Sequence, residues 1–276
     1  MIRLISREEL DFALKLTEVE EWGTSKEELE DIFLFSPQGF FISESKGILN
    51  GIVSTAFYGS FGVIGNLIVV KKFRRQGFGR NLMKYAIDYL KSKGARTILL
   101  DGVPQIISLY KMLDFQPICR SLRLKGNLDS KPVENVRLMT LKDIDTVIQL
   151  DRKHFRGDRG YFLKRRFSLH PNLCHVLIRK DKLNGFIMGI PKEDCILVGP
   201  WIVNPKEAKP QLLLQSLANN VNLNKFRLGI LENNKRAVKL AQDLNFAEYF
   251  YSIRMIYGKA FTHTNGLFAI AGPDRG

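Results

Sequence analysis

The chain has 276 residues, of which 45% are hydrophobic, and a formal net charge of +14. This length favours two domains over one, and the apolar fraction is ample for packed cores. No stretch approaches the roughly 20 uninterrupted apolar residues of a membrane span, and the first residues do not form a basic-then-apolar signal peptide. We therefore expect a protein that does not enter a membrane.

The cysteines give an expectation for the compartment and for metal binding. Three cysteines, an odd number, include no Cys-x-x-Cys pair, which favours a reduced cytoplasmic setting. His170, Cys174, His175 and Cys195 form a group that could suggest a metal site. Their spacing fits no standard zinc pattern, so we expect no metal.

Residues 69–80, with the elements on either side of them, are the most informative stretch. Residues 63–70 predict a buried strand, a basic glycine-bearing turn follows, and residues 81–93 predict a helix. Strand, tight turn and helix create an anion site, because the first amides of a helix lack an internal partner and the helix dipole adds positive charge there. The turn supplies two glycines that leave room for a phosphate and three full charges: Gly77, Gly79, Arg74, Arg75 and Arg80. We interpret it as a pyrophosphate cradle, the alternative being a helix N-terminus with solvated arginines.

A second phrase follows at residues 97–115. Residues 97–100 predict a short buried strand, residues 101–104 a turn, and residues 106–115 a helix that stops at its end. Asp114 stands at the stop, where a left-handed backbone is expected; Gly adopts it freely and Asp at some cost.

Together the two phrases resemble the GCN5-related N-acetyltransferase (GNAT) superfamily. Arg74-x-x-Gly77-x-Gly79 is similar to its Arg/Gln-x-x-Gly-x-Gly/Ala acyl-CoA motif, and Leu109-Tyr110 with Phe115 is similar to its Leu-Tyr-x-x-x-Gly-Phe element. Asp114 replaces the usual Gly of that element. Val103 and Ile106 stand where Asn and Ala are common in the family.

The resemblance implies a mixed α/β fold of the α+β type, with a largely antiparallel sheet flanked by helices, and acetyl-CoA as co-substrate. The strand ending at Val69 and the strand at residues 97–100 should splay into a wedge that takes the pantetheine arm. The implied cofactor-binding residues are Leu67, Ile68, Val69, Val70, Arg74, Arg75, Gln76, Gly77, Phe78, Gly79, Arg80 and Tyr110.

The resemblance also implies roles in the reaction. The amide of Val69 or Val70 would stabilise an oxyanion on the thioester carbonyl, and Tyr110 would protonate the departing CoA thiolate as a general acid. Residues 45–87 contain no Asp or Glu, so no carboxylate lies on the strand where many family members place a base. Asp101 is the first carboxylate candidate for the base and Glu21 the second, and a water chain to solvent is an equal alternative.

The acceptor is expected to be a small molecule with an amine or an exposed amino group. Glu21 and Trp22 are the candidate residues for binding it, because an aromatic ring can hold an amine by a cation–π contact. For Trp22 and for Trp201 a position in the core is the plainer interpretation.

An internal repeat predicts two copies of one fold. Residues 2–11 are echoed by residues 136–145, and Leu113-Asp114-Phe115 by Leu244-Asn245-Phe246. We predict an acetyl-CoA-binding domain at residues 1–128, a polar linker, and a degenerate domain at residues 133–276 that binds the acceptor or is structural. The second copy lacks Arg-x-x-Gly-x-Gly, keeps Asn234 and Ala237, and has Ala241 in place of Tyr110. It resembles tandem acetyltransferases whose second domain is degenerate.

The charge distribution leaves other partners open. Residues 1–66 carry −6, residues 67–130 carry +9 and residues 131–276 carry +11, so the sign changes at the cradle, and the second half has an excess of its own. Residues 152–166 are basic with interleaved aromatics, which favours a helix with a basic outer face; a border of the substrate cleft and a nucleic-acid arm are the alternatives. An acyl-CoA-binding sensor without catalysis is the competing function, and the sequence does not indicate an oligomeric state.

Overall fold

The computed structural model describes residues 1–207 and 209–276 and divides into two compact units. The first unit comprises Met1–Pro117, Met255–Ala260 and Arg275. The second unit comprises Ile118–Arg254, Phe261–Asp274 and Gly276. Each unit is a mixed, mostly antiparallel sheet flanked by helices, as predicted, and each is described separately below.

The first unit contains five complete strands, neighbours in chain order, that are antiparallel except for the parallel pair β4 and β5. Its elements are β1 (Ile2–Leu4), α1 (Leu10–Val19), α2 (Lys26–Phe35), β2 (Phe40–Ser45), β3 (Ile48–Phe57), β4 (Phe61–Val69), α3 (Phe78–Ser92), β5 (Thr97–Gly102) and α4 (Ile107–Lys111).

The second unit has the strand order β6-β11-β10-β9-β8-β7, with β10 and β11 parallel and β13 added beside β10. Its elements are β6 (Gln116–Asn127), β7 (Val136–Leu138), α5 (Ile144–Phe155), α6 (Gly160–Leu169), β8 (Cys174–Arg179), β9 (Lys182–Pro191), β10 (Ile196–Val203), α7 (Gln211–Asn219), β11 (Lys225–Leu231), α8 (Lys235–Asp243), β12 (Ala247–Gly258) and β13 (Leu267–Ala269). Residues 255–258 of β12 belong to the first unit, where Lys259 N donates to Arg96 O at 3.0 Å.

Equivalent contacts in the two units confirm the predicted repeat. The first begins with an Arg3–Glu9 ion pair of 2.7 Å, and the second with an Arg137–Asp143 pair of 2.7 Å. A Cβ on Gly51 would lie 2.8 Å from the carbonyl oxygen of Ile68, and one on Gly185 would lie 3.0 Å from that of Ile202. The close approach of a neighbouring backbone therefore requires glycine at both positions.

The helix stops of the repeat also have the predicted conformation. Asp114 has φ of 64° and Asn245 has φ of 58°, both left-handed. The helix before Asp114 is shorter than the predicted 106–115, because Pro104 starts a 3-10 turn and only Ile107–Lys111 is α-helical.

Helix α3 shows why these residues form an amphipathic helix against the sheet. Its buried residues recur at helical spacing and lie on one face: Leu82, Met83, Ala86, Ile87 and Leu90. This face packs on β3 and β4, which fixes the N-terminus of α3 at the end of β4. The helix begins at Phe78, three residues earlier than predicted.

Two expectations about basic and aromatic residues were wrong in part. Arg159 and Arg166 are buried rather than on an outer face, because Arg159 pairs with Asp151 at 2.9 Å and Arg166 donates to Gly199 O at 2.8 Å. Trp201 is a core residue with 1% exposure, whereas Trp22 is 43% exposed and does not belong to the core. Within the described ranges, no helix combines the length and the apolar character needed to cross a membrane.

Candidate active site

The central strands of the first unit separate into a wedge, as predicted. The parallel ladder of β4 and β5 begins at Phe61 and Thr97 and ends at Ile64 and Leu100. Beyond Ile64, β4 continues to Val69 paired with β3 alone. Adjacent parallel strands that stop pairing leave one edge of each backbone free for another hydrogen-bonding partner.

A bulge lies in β4 at the mouth of this wedge. Asn66 has φ of 52°, and the register between β3 and β4 shifts between Ile52 and Ser54. The side chain of Asn66 donates to Ser54 Oγ at 2.9 Å and holds the bulge in place. A bulge re-aims the residues that follow it, here residues 67–69.

The amides of Val69 and Val70 point in opposite directions. Val70 N donates to Asn50 O of β3 at 2.9 Å, so this amide is used by the sheet. Successive residues of a strand alternate in direction, which turns the N–H of Val69 away from β3 and toward the wedge. Val69 O, on the same side, accepts from Arg74 Nε at 2.9 Å. Of the two amides predicted as oxyanion donors, that of Val69 has the suitable direction.

The turn after β4 forms an open cradle. Gly77 precedes α3 with φ of 88°, and a Cβ there would meet nothing within 4 Å, so its conformation rather than crowding requires glycine. The first backbone hydrogen bond of α3 runs from Asn81 N to Gly77 O at 3.0 Å. Across the part of the chain that is described, the backbone N–H groups of residues 76–80 have no backbone acceptor.

The three arginines of the cradle differ in the partners of their guanidinium groups. Arg75 and Arg80 are exposed at its surface. Arg74 is also exposed, but its guanidinium forms an ion pair with Glu20 and donates to Val69 O. The charge of Arg74 is therefore partly offset by a carboxylate that comes from the end of α1. Gln76, another predicted residue of the cradle, donates to Lys72 O at 3.1 Å.

Tyr110 lies at the other side of the wedge. Its side chain is only 5% exposed, and its ring packs on the end of β5: a Cβ on Gly102 would lie 2.5 Å from Tyr110 Cε2. Burial raises the pKa of Tyr110 well above its ordinary value. The phenol thus keeps its proton over the whole neutral range. No described residue forms a hydrogen bond with its hydroxyl.

Asp101 is brought close to Tyr110, because it directly precedes the Gly102 on which the Tyr110 ring packs, and it is half-buried at the end of β5. Glu21 and Trp22 lie in the turn after α1, both exposed, with Glu21 at φ of 55°. The neighbouring Glu20 joins this turn to the cradle through Arg74.

Three residues of the site were missed from the sequence. Glu20 was overlooked, although it directly precedes the candidate residue Glu21. Gly102 leaves room for the Tyr110 ring, and Asn66 shapes β4 through its left-handed backbone and its side chain. Their only sequence signal was a Gly or Asn near a strand end, which is common in turns.

Comparison with known proteins agrees with the geometry. A model of the acetyltransferase (GNAT) family matches residues 7–115, and a model described as an acetyltransferase (GNAT) domain matches residues 147–269. The chain belongs to the GNAT family. It is a tandem GNAT protein with one such domain in each half, and membership in this family indicates acyl transfer in general.

Solved structures share the fold over almost the whole chain. A candidate acetyltransferase from Pyrococcus horikoshii has a TM-score of 0.82 at 21% identity, covering 100% of this chain and 95% of its own. A GCN5-related N-acetyltransferase from Sphaerobacter thermophilus has a TM-score of 0.66 at 14% identity, covering 94% and 95%. A tandem GNAT protein from the clavulanic acid biosynthesis pathway has a TM-score of 0.66 at 13% identity, covering 95% and 99%. No curated protein matches the chain.

Both halves match GNAT models, but they differ at the position of Tyr110. Phe115 N donates to Tyr110 O at 3.1 Å, and in the second unit Phe246 N donates to Ala241 O at 2.9 Å. This shared hydrogen bond places Ala241 at the position of Tyr110. Outside the undescribed residue 208, no group of three or more His, Cys, Asp or Glu side chains is arranged to hold a metal ion.

Proposed function

We propose that the first unit of this GNAT protein transfers an acetyl group from acetyl-CoA to the amine of a small molecule or to an exposed amino group. The observation that supports this most directly is the wedge between β4 and β5, with an open cradle at one side and a buried tyrosine at the other.

The residues present fit acetyl-CoA. The N–H groups of residues 76–80 offer donors to a pyrophosphate, and the dipole of α3 and the charges of Arg75 and Arg80 favour an anion there. The free edge of β4, residues 67–69, offers backbone groups to the amide-containing pantetheine arm. One adjustment is required: Arg74 exchanges its Glu20 partner for a phosphate oxygen if it is to contribute its full charge.

Acetyl-CoA supplies a thioester, whose acyl carbon forms a bond with the amine nitrogen while its bond to sulfur breaks. The N–H of Val69 donates to the carbonyl oxygen and stabilises the negative charge that develops there. Tyr110 gives its proton to the departing sulfur. Burial raises the pKa of Tyr110, so the phenol is protonated at neutral pH and has a proton to give.

The proton of the amine goes to a base, for which we propose Asp101. It lies at the wedge beside the residue that packs against Tyr110. Glu21 is the second candidate, although it is exposed on the turn after α1. A pH–rate profile of Asp101→Asn tests the assignment: loss of the acidic limb of the profile supports Asp101, and an unchanged limb transfers the role to Glu21 or to water.

The experiment that tests the function is calorimetry with acetyl-CoA, followed by a screen of amines for release of free CoA thiol. Binding in the micromolar range or tighter together with amine-dependent thiol release supports the proposal. Binding without turnover on any amine supports the alternative, a sensor of acyl-CoA. If acetyl-CoA does not bind, and the double change Arg74→Ala and Gly77→Asp alters neither the calorimetric signal nor thiol release, both the enzyme and the sensor are contradicted.

A further inference from the structure

The second unit has a wedge that corresponds to the one in the first. Its parallel ladder of β10 and β11 begins at Ile196 and Phe226 and ends at Val198 and Leu228. Beyond these residues the two strands separate, as β4 and β5 do in the first unit. A GNAT domain with such a wedge would be expected to accept an acyl-CoA of its own.

This second wedge is filled by the chain itself. Residues 264–271, which we name the closing segment, contain β13 and run antiparallel to β10, with Trp201 opposite Ala269 and Ile202 opposite Leu267. On the other side, Ile270 N donates to Gly229 O of β11 at 2.9 Å. The closing segment thus uses the free edges of both separated strands.

The closing segment accepts a hydrogen bond from the amide that corresponds to Val69 N–H, the proposed oxyanion donor of the first unit. Val203 occupies the position of Val69, since the next residue in each copy donates to an equivalent carbonyl: Asn204 N to Asn184 O at 2.7 Å, and Val70 N to Asn50 O at 2.9 Å. Val203 N donates to Gly266 O at 2.9 Å. A peptide carbonyl of the chain therefore lies where the first unit is proposed to hold an acyl carbonyl.

Side chains fix the closing segment from outside the sheet. Asn234 at the start of α8 is 6% exposed, and its Nδ2 donates to Leu267 O at 2.7 Å while its Oδ1 accepts from Ala237 N at 3.2 Å. Thr264 Oγ1 lies 2.5 Å from His154 Nδ1 of α5. A Cβ on Gly199 would lie 2.0 Å from Ile270 O, so the segment packs directly on the backbone of β10.

One cavity beside the closing segment is small. A cavity of about 220 Å³, lined by Leu231, Asn233, Asn234 and residues 262–265 and 267, lies at the end of β11. Sites for drug-sized ligands measure roughly 300–1,000 Å³, and CoA is larger than most such ligands. The residue that follows the ladder in β11 is Gly229 where the first unit has Asp101, and Ala241 replaces Tyr110.

We propose that the closing segment is a built-in peptide ligand of the second unit, held in the wedge in place of a pantetheine arm, so that the chain binds one acyl-CoA and not two. The stoichiometry follows from the proposed function of the first unit. The occupation of the wedge by residues 264–271 is independent of that function and can be measured without any cofactor.

The first test uses amide hydrogen exchange of the full chain without ligand. Residues 266–271 are expected to exchange as slowly as β10, since their N–H groups belong to the core of the second unit. Asn234→Asp keeps the oxygen that caps α8 and removes the donor to Leu267 O, so exchange in residues 266–271 should rise about tenfold. Asn219→Asp, which changes an exposed amide elsewhere in the unit, is the control and should leave them unchanged. Fast exchange in the unaltered chain, or no response to Asn234→Asp, would overturn the proposal.

The second test counts sites by calorimetry with CoA. One CoA per chain, and none after Gly77→Asp in the first cradle, is the expected result. Two per chain, or residual binding after Gly77→Asp, overturns the inference even if the first unit is an acetyltransferase. If the unaltered chain binds no CoA, the proposed function fails, and hydrogen exchange still decides whether the closing segment occupies the second wedge.

Discussion

The two wedges of this GNAT protein lie between equivalent pairs of parallel strands, but they differ in what contacts the edges of those strands. In the first unit, Val69 is partly exposed and its amide is turned away from β3. In the second, Val203 has 0% exposure and its amide donates to Gly266 O. The topology, the glycine contacts and the helix stops are shared, so the fold alone does not decide whether a wedge is a binding site.

The difference lies in what meets the strand edges. A separated pair of strands exposes backbone donors and acceptors that require partners, and a ligand or a further strand can supply them. In the proposed function, the first unit leaves these groups to acetyl-CoA and adds a glycine-bearing cradle and Tyr110. The second unit supplies its own strand and has no comparable glycine turn after β10 in the sequence.

The change expected to have the largest effect on this contrast is Gly77→Asp. A side chain at φ of 88° is strained, and its carboxylate would lie against the pyrophosphate, so affinity for CoA should fall by about 100-fold or more. Calorimetry measures the affinity, and a thermal melt establishes that the variant is folded. Gln211→Asp, at the first residue of α7 in the second unit, is the matched control and should leave affinity unchanged. Equal losses in both variants would contradict a site confined to the first unit.

The next largest effect is expected for Tyr110→Phe. Loss of the general acid should lower kcat by about 100-fold while CoA affinity changes little, because only the phenol oxygen is removed. Tyr58→Phe is the control: its buried hydroxyl donates to Arg275 O at 2.8 Å, so the change should lower stability by about 1 kcal/mol and spare kcat. A parallel loss of affinity and turnover in Tyr110→Phe would assign Tyr110 to binding.

The cradle and the repeat could be predicted from the sequence because both depend on local patterns. Two glycines between a strand and a helix, and matched Asp114 and Asn245 stops, specify backbone conformation within a few residues. The family motif supplied the remaining expectations about the wedge of the first unit, including the separation of its strands.

The closed state of the second wedge could not be predicted in this way. It depends on contacts between β10 and residues 264–271, more than sixty positions away. The Glu20–Arg74 pair was hidden for the same reason, since 54 residues separate its partners and exposed charges pair with many alternatives.

A smaller effect is expected for Glu20→Gln. Removing the carboxylate frees Arg74 for a phosphate, and because exposed ion pairs contribute roughly 0.2–1 kcal/mol, CoA affinity should rise by about threefold. Calorimetry at low ionic strength measures it. Asp11→Asn, which removes another exposed pair of the first unit with Lys26, is the control and should have no effect on affinity. Weaker binding in Glu20→Gln would show that Glu20 positions Arg74 for the ligand instead of competing with it.

A last comparison separates the units by the response of their stability to acid. All four histidines belong to the second unit, and His175 is fully buried, with burial lowering its pKa to about 4. The unfolded chain takes up this proton near pH 6.5, so stability of the second unit falls as pH drops from about 6.5 toward 4, by up to roughly 3 kcal/mol for this residue. Glu9 and Asp11 of the first unit have lowered pKa values because of their ion pairs with Arg3 and Lys26, and they stay ionised in this window.

Hydrogen exchange at pH 7 and pH 5 should therefore show the second unit loosening first. His175→Gln should reduce the pH dependence of its unfolding free energy, because the buried group that binds a proton only in the unfolded chain is gone. His170→Gln, a change at a half-buried histidine of the same unit, is the control. If the first unit loosened first, or if His175→Gln left the slope of stability against pH unchanged, the acid response would have to come from groups other than His175. Amide exchange in the closing segment should also rise at pH 5, because Thr264 contacts His154, whose pKa is also lowered by burial.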